Sequence, residues 1–286
     1  MRKIPWLHIA LFILTFFTTL AAGALNRGAD IFRNPAGLIL GLPFAGTLMT
    51  ILLCHEFSHY IASRLHHTHA TLPYFIPAPS LIGTFGAFIK MKSPILTRKA
   101  LVDIGASGPI AGFIVSVVAS VVGLSMSDVV PLSKVTGDGA ISLGDSLLFS
   151  ALARLIVGVV PANADILLHP VAFAGWIGLF VTALNLIPIG QLDGGHVAFA
   201  ILGNRHRYLS VALVTILALL GISALFGVTG WEGWLLWAVL MPILGLRHPP
   251  VIYWEMQLEP SRKKVAFAAL IIFIITFTPT PFKISS

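Results

Sequence analysis

The chain has 286 residues, of which 57% are hydrophobic and only 10% charged, and its mean hydropathy is +0.93. A soluble domain carries about 25% charged residues, so the main solvent of this chain is lipid. A single cysteine, Cys54, excludes an internal disulfide framework and any multi-cysteine metal site. The formal charge of +7 comes with no basic tract or nucleic-acid motif, so it points to loops held on the inner membrane face and to no nucleic-acid partner.

Hydrophobic stretches run over residues 7–25, 36–65, 100–124, 171–202, 208–227, 231–246 and 262–278. Because about 20 apolar residues span a bilayer core, these predict an all-α polytopic protein with six to seven transmembrane helices, a single integral membrane domain over 1–286. The first stretch follows Arg2 and Lys3 and ends at Ala22-Gly23-Ala24, which resembles a cleavable signal. Its apolar run is longer than a usual signal core, so a retained helix is expected. Between the second and third stretches, Pro73, Pro77, Pro79 and Pro94 forbid a continuous helix. The piece "GTFGAFIKMK" (83–92) alternates apolar and polar near its end, which predicts an extended β segment within 70–93. Residues 125–170 read as an outside loop with one short interfacial helix over 147–160, from which Arg154 snorkels. In the fourth stretch, Pro188, Gly190, Gly194 and Gly195 break or loosen the helix.

Charge sets the orientation. With the N-terminus inside and seven crossings, 13 of the 18 Lys and Arg lie on inner loops, leaving Arg27, Arg33, Lys134, Arg154 and Lys283 outside. Asp30, Asp128, Asp138, Asp145, Asp165 and Glu232 also fall outside, and only Glu56 and Asp193 are left deep in spans. Ionisable groups at that depth are costly and mark function.

Glu56 sits in "CHEFSH". His55 and His59, four residues apart, share a helix face and can bind one metal with Glu56 beside it as general base. Chance supplies about 0.005 such matches in a chain of this composition. Zinc needs a third protein ligand and an open position for water, and Asp193 is the remaining deep acid. Glu56 lies about 12 Å along a helix from Arg64, and Asp193 about 18 Å from Arg205, so both sit at comparable depth from the same face. Asp193 also reads as a cap for the helix that begins at Gly194. His196 reads equally as an orienter of a ligand and as a pore-facing polar residue. His66, His67 and His69 read as snorkelling or capping groups, Asp103 as a complement to a helix N-terminus, and Trp6, Trp231, Trp234 and Trp254 as interface anchors.

Two spaced motifs carry a family resemblance. H-E-F-S-H at 55–59, followed by N-L-I-P-I-G-Q-L-D-G at 185–194, resembles the site-2 proteases, intramembrane zinc metalloproteases with the pattern H-E-x-x-H and then N-x-x-P-x-x-x-x-D-G. The resemblance covers about residues 36–202, which it marks as the catalytic core, with 7–25 and 207–278 as flanking helices. It implies Zn2+ held by His55, His59 and Asp193, with Glu56 as base toward a zinc-activated water. Asn185 is implied to orient substrate or stabilise the oxyanion. The glycine-rich "GTFGAFI" (83–89), with Gly83, Thr84, Phe85 and Gly86, resembles an extended substrate-holding segment, and "GASGPIAGF" (105–113) the small-residue helix beside the site. Some relatives of this kind carry a PDZ domain; none is visible here. The implied substrate is a transmembrane segment of another protein in the bilayer.

Two other functions compete. Membrane His and Asp also mark ion paths, so a metal transporter is possible, but transport has no need of a Glu between the histidines and no inverted repeat is evident. A non-catalytic scaffold is disfavoured because no catalytic position is missing. The expected location is a prokaryotic inner membrane, with the N-terminus cytoplasmic.

Overall fold

The structure, a computed structural model, describes residues 4–134, 141–228 and 230–284. Arg2, Lys3 and Asp138, which entered the charge reading, lie outside the described residues. Helix α1 (Trp6–Asn26) is followed by a 3-10 run (Pro35–Gly41) that leads directly into α2 (Leu42–Leu65). Pro43 at the start of α2 is tolerated because first-turn amides have no helical partner. Strands β1 (Tyr74–Pro77) and β2 (Thr84–Phe88) form an antiparallel hairpin inside the predicted 70–93 segment, and an Ala70–Met91 bridge prolongs it. Helix α3 (Arg98–Ser125) starts at Thr97, whose side chain accepts from the Ala100 amide, and carries Pro109 in its interior.

The next segment holds β3 (Asp128–Pro131), β4 (Ile141–Leu143), the short helix α4 (Leu147–Ile156) and β5 (Ala164–Leu167). The expected interfacial helix over 147–160 is α4, capped by Ser146. Then come α5 (Pro170–Leu186), α6 (Asp193–Leu202), α7 (His206–Leu225), α8 (Gly233–Leu244), α9 (Pro260–Thr276) and β6 (Phe282–Ile284). β3 pairs with β5 and β4 with β6, both antiparallel. Among the described residues the protein is thus mainly helical, with three small two-stranded sheets.

Among the described residues, four helical stretches are long and apolar enough to cross a membrane: Trp6–Asn26, Pro35–Leu65, Arg98–Ser125 and Asp193–Leu225. α5 and α8 are shorter apolar helices. The predicted 171–202 span is two helices, α5 and α6, joined by an irregular turn over 187–192. Helices α2, α3 and α5 form the middle of the bundle, around Phe44, Leu48, Leu124, Trp176, Ile177 and Leu179. Large apolar side chains such as Phe17, Ile114, Val118, Leu219 and Ile222 face outward, as expected where the surroundings are acyl chains and not water.

One reading changes here. Trp234 is no interface anchor: it is fully buried, donates its indole N–H to the Pro279 carbonyl at 2.7 Å and stacks on Phe277. Burial with its one polar atom satisfied is the other common fate of tryptophan, and sequence position does not separate the two. Trp254 lies under the Arg98 guanidinium, 4.6 Å from its ring centre. Trp6 is exposed, as an anchor should be.

Candidate metal centre

One turn of α2 sets His55 and His59 side by side, with Glu56 next to them. All three are buried, at 4%, 5% and 5% exposure. The α5–α6 turn supplies the opposite wall. Asn185 is the penultimate residue of α5 and Asp193 the first of α6, so the break delivers one polar group from the end of a helix and another from the start of the next. Asp193 makes no capping hydrogen bond. Its Oδ2 lies 3.3 Å from His55 Nε2 and 3.2 Å from His59 Nε2, and the two imidazole nitrogens are 3.1 Å apart. Asn185 Nδ2 lies 3.4 Å from His55 Nε2.

The chemistry of this contact is decided by the atom behind it. His59 Nδ1 donates to the Ile104 carbonyl of α3 at 2.7 Å. A carbonyl only accepts, so a neutral His59 carries its proton on Nδ1 and turns a lone pair toward Asp193. A lone pair facing a carboxylate oxygen, with a second imidazole nitrogen in the same space, is unfavourable unless a proton or a metal ion lies among them. Atoms bound tetrahedrally to zinc at 2.0–2.2 Å stand about 3.3 Å from one another, which the three separations match. His55, His59 and Asp193 therefore form a group that could hold a metal ion, the one such group found among the described residues. Two imidazoles and one carboxylate are a borderline-soft donor set that suits zinc.

Room for the imidazoles comes from α3. A Cβ at Gly108 would stand 2.1 Å from His59 Nε2, so no other residue fits there without displacing the ring. The centre opens into a cavity of about 220 Å³ also lined by Glu56, Asn185, Gln191, Leu192 and His196.

The hairpin forms the cavity's remaining edge. Ala87, Phe88, Ile89 and Met91 line the cavity; Gly83, Thr84, Phe85 and Gly86 do not. Gly83 has φ +81, and a Cβ on it would stand 2.4 Å from the Thr18 carbonyl of α1, so its glycine serves packing against α1. The Thr84 hydroxyl donates to the Ile76 carbonyl and accepts from the Gly86 amide, tying the turn together. Gly86 has φ +95 at the irregular register between Phe75 and Pro77, a bulge that glycine admits. Phe85 is exposed. The Thr71 amide donates to the Lys90 carbonyl, and the Lys92 amide to that of His69. By alternation, Ala87, Ile89 and Met91 turn their backbone groups to the opposite edge. The alternation of Ile89 and Met91 is legible in "AFIKMK".

Comparison with known proteins agrees with the geometry. Residues 43–228 match the model of peptidase family M50. The chain belongs to that family. A probable zinc metalloprotease of Arabidopsis thaliana, EGY2, chloroplastic, is 32% identical over 258 residues, covering 88% of this chain and 44% of that protein. Its namesake from Oryza sativa subsp. indica is 33% identical over 245 residues, covering 83% and 43%. The probable zinc metalloprotease EGY1, chloroplastic, of Arabidopsis thaliana is 32% identical over 248 residues, again covering 83% and 43%. This M50 chain thus spans less than half the length of these relatives. Their names carry a plant plastid and lend no support to a prokaryotic inner membrane. As a family member with membrane-length apolar helices, the chain is a multi-pass membrane protein.

The remaining sequence readings find different partners. Asp103 does more than face a helix N-terminus: it accepts from His66 Nε2 at 2.9 Å and from Arg262 Nη2 at 3.1 Å, bracing α2, α3 and α9 together. His196 bonds to His248 in the loop after α8, a partner that no spacing in the sequence indicates.

Proposed function

We propose that this protein is an intramembrane zinc endopeptidase that hydrolyses peptide bonds in or near transmembrane segments of other membrane proteins. The observation that carries the proposal is the convergence of two imidazole nitrogens and one carboxylate oxygen within 3.3 Å beside a buried glutamate. Zinc held by His55, His59 and Asp193 would act as a Lewis acid toward water and the scissile carbonyl. Glu56 would take the proton from the attacking water and return it to the leaving amine. Asn185, whose amide N–H reaches the centre, would donate to the developing oxyanion.

An extended substrate would add as a strand to the edge that Ala87, Ile89 and Met91 offer, since a peptide in a stable helix hides its amides. Gly83, Thr84, Phe85 and Gly86 then hold that edge in place through the turn and α1. The catalytic core covers 36–202, with 7–25 and 207–278 as flanking helices. The N-terminus faces the cytoplasm or its organellar equivalent, and a plastid membrane is as compatible with the chain as a prokaryotic one. Metal transport is not favoured, because it leaves Glu56 and the open strand edge without a role.

The test is a Glu56→Gln substitution in the purified, zinc-loaded chain, assayed on a tagged transmembrane substrate. Zinc content should be unchanged and cleavage should fall 10²–10⁴-fold, the range for loss of a general base. Undiminished cleavage would overturn the proposal.

A further inference from the structure

The family match ends at residue 228, yet a later segment reaches back to the site. After α8, residues 245–259 fold over the outer side of α6. Val251 and Leu258 are buried there against Leu101, Val102, Phe199 and Ala200. Arg98, which holds the Ala200 carbonyl at 2.9 Å, stacks on Trp254. Within this docked loop the His248 ring lies on Phe199, with centroids 4.4 Å apart and planes at 16°.

His248 also makes two hydrogen bonds whose directions can be assigned. Its Nδ1 lies 2.6 Å from the Pro249 carbonyl, which only accepts, so Nδ1 carries the proton. Burial pushes the His248 imidazolium down to about 4, so the ring is neutral near pH 7 and its Nε2 is a lone pair. That lone pair bonds to His196 Nδ1, which must therefore be the donor. In the neutral His196 ring the remaining nitrogen, Nε2, then keeps a lone pair. His196 lines the same cavity as Glu56, Asn185 and the three metal-facing groups, and Gly105 of α3 leaves no room behind its Cβ, where an added Cβ would stand at 2.9 Å.

We infer that His196 is a substrate-binding acceptor in this cavity and that His248 is the positioning residue that fixes its tautomer. The inference rests on the protease reading above. An extended peptide brings both carbonyls and amides into the cavity. Asn185 offers a donor for the first. His55, His59 and Asp193 are engaged by the metal and Glu56 by the water. His196 is the imidazole left to accept a peptide N–H. Without His248 the ring is free to place its proton on Nε2, and the acceptor becomes a donor. The 245–259 loop is thereby part of the working site although it lies beyond the family match.

The test uses the full chain with two variants at one position, compared with the parent. His248→Phe keeps a ring on Phe199 and removes the Nε2 acceptor, whereas His248→Gln restores an acceptor near the position of Nε2. Nitrogen NMR of the ¹⁵N-histidine-labelled chain should report the Nδ1–H tautomer for His196 in the parent and in His248→Gln, and the Nε2–H tautomer in His248→Phe. With zinc content and Tm at parental values, kcat/KM on a transmembrane substrate should fall 10–100-fold in His248→Phe and recover in His248→Gln. An Nε2–H tautomer in the parent, or His248→Phe activity within twofold of it, would overturn the inference. So would a loss that tracks Tm or zinc content, which marks a structural role. The NMR result does not depend on catalysis, so a parent that cleaves nothing refutes the protease reading separately.

Discussion

The two helical regions that carry the centre are built differently. α2 runs unbroken through its 24 residues and places His55 and His59 by helical pitch alone. The α5–α6 region stops at Leu186, turns irregularly and restarts at Asp193, so Asn185 and Asp193 are placed by the conformation of six intervening residues. An unbroken helix sets the spacing of two ligands and limits them to one face. A break lets a second element enter from another direction and close the coordination set, and it leaves backbone groups that the surrounding protein must satisfy. The Ser210 hydroxyl, for example, accepts from the Gly190 amide at 3.2 Å.

The comparison can be broken first on the α2 side, where the largest effect is expected. Gly108→Ala puts a methyl group against His59 Nε2 without replacing any ligand. Zinc affinity, measured by competition with a chelator, should fall 10–100-fold while far-ultraviolet circular dichroism stays helical. Unchanged affinity would mean that α3 does not set the ring's position. An intermediate effect is expected at the hairpin. Ala87→Pro removes one amide from the cavity-side edge and none from the β1 ladder. The loss of one hydrogen bond, about 0.5–1.5 kcal/mol, should lower kcat/KM roughly 2- to 12-fold with zinc retained. No change would place substrate elsewhere. The smallest effect tests the break itself. Gly190 has φ +54, and a Cβ there would meet the Gly245 carbonyl oxygen at 2.3 Å. Gly190→Ala should cost about 1–2 kcal/mol for the left-handed backbone and lower Tm by a few degrees. A higher Tm would show that the turn adopts another backbone conformation.

The same contrast explains what could be read from the sequence. His55, Glu56 and His59 were legible because a polar triplet at i, i+1 and i+4 in an apolar run has one geometric meaning. Asp193 was legible by depth, and Pro188 and Gly190 announced the break that separates it from Asn185. The prolines and the alternation in 83–92 announced an extended segment, but not its pairing into a hairpin or its register. Gly83 packs on α1 and Gly86 accommodates a bulge, contacts that the sequence does not display. Trp234 was misplaced because an aromatic near a span end has the same sequence signature whether it anchors in lipid headgroups or fills a core. His248 was invisible, since 52 residues and an intervening helix pair separate it from His196. Contacts made by a loop returning over a helix leave no period behind.

The hairpin's attachment to α1 has a mechanical side. Three side chains spread along that helix hold the hairpin: His8 Nδ1 to the Pro73 carbonyl, Thr18 Oγ1 to Gly83 at 2.6 Å, and Asn26 Nδ2 to Leu81. Phe12 adds an edge-on contact to Phe75. The outer side of α1 presents Leu7, Leu14 and Phe17 to the surroundings. A helix that turns its outer side to the surroundings is thus bolted at three points to the ends and turn of the hairpin whose second strand borders the cavity, so the cavity's lip and α1 share one attachment.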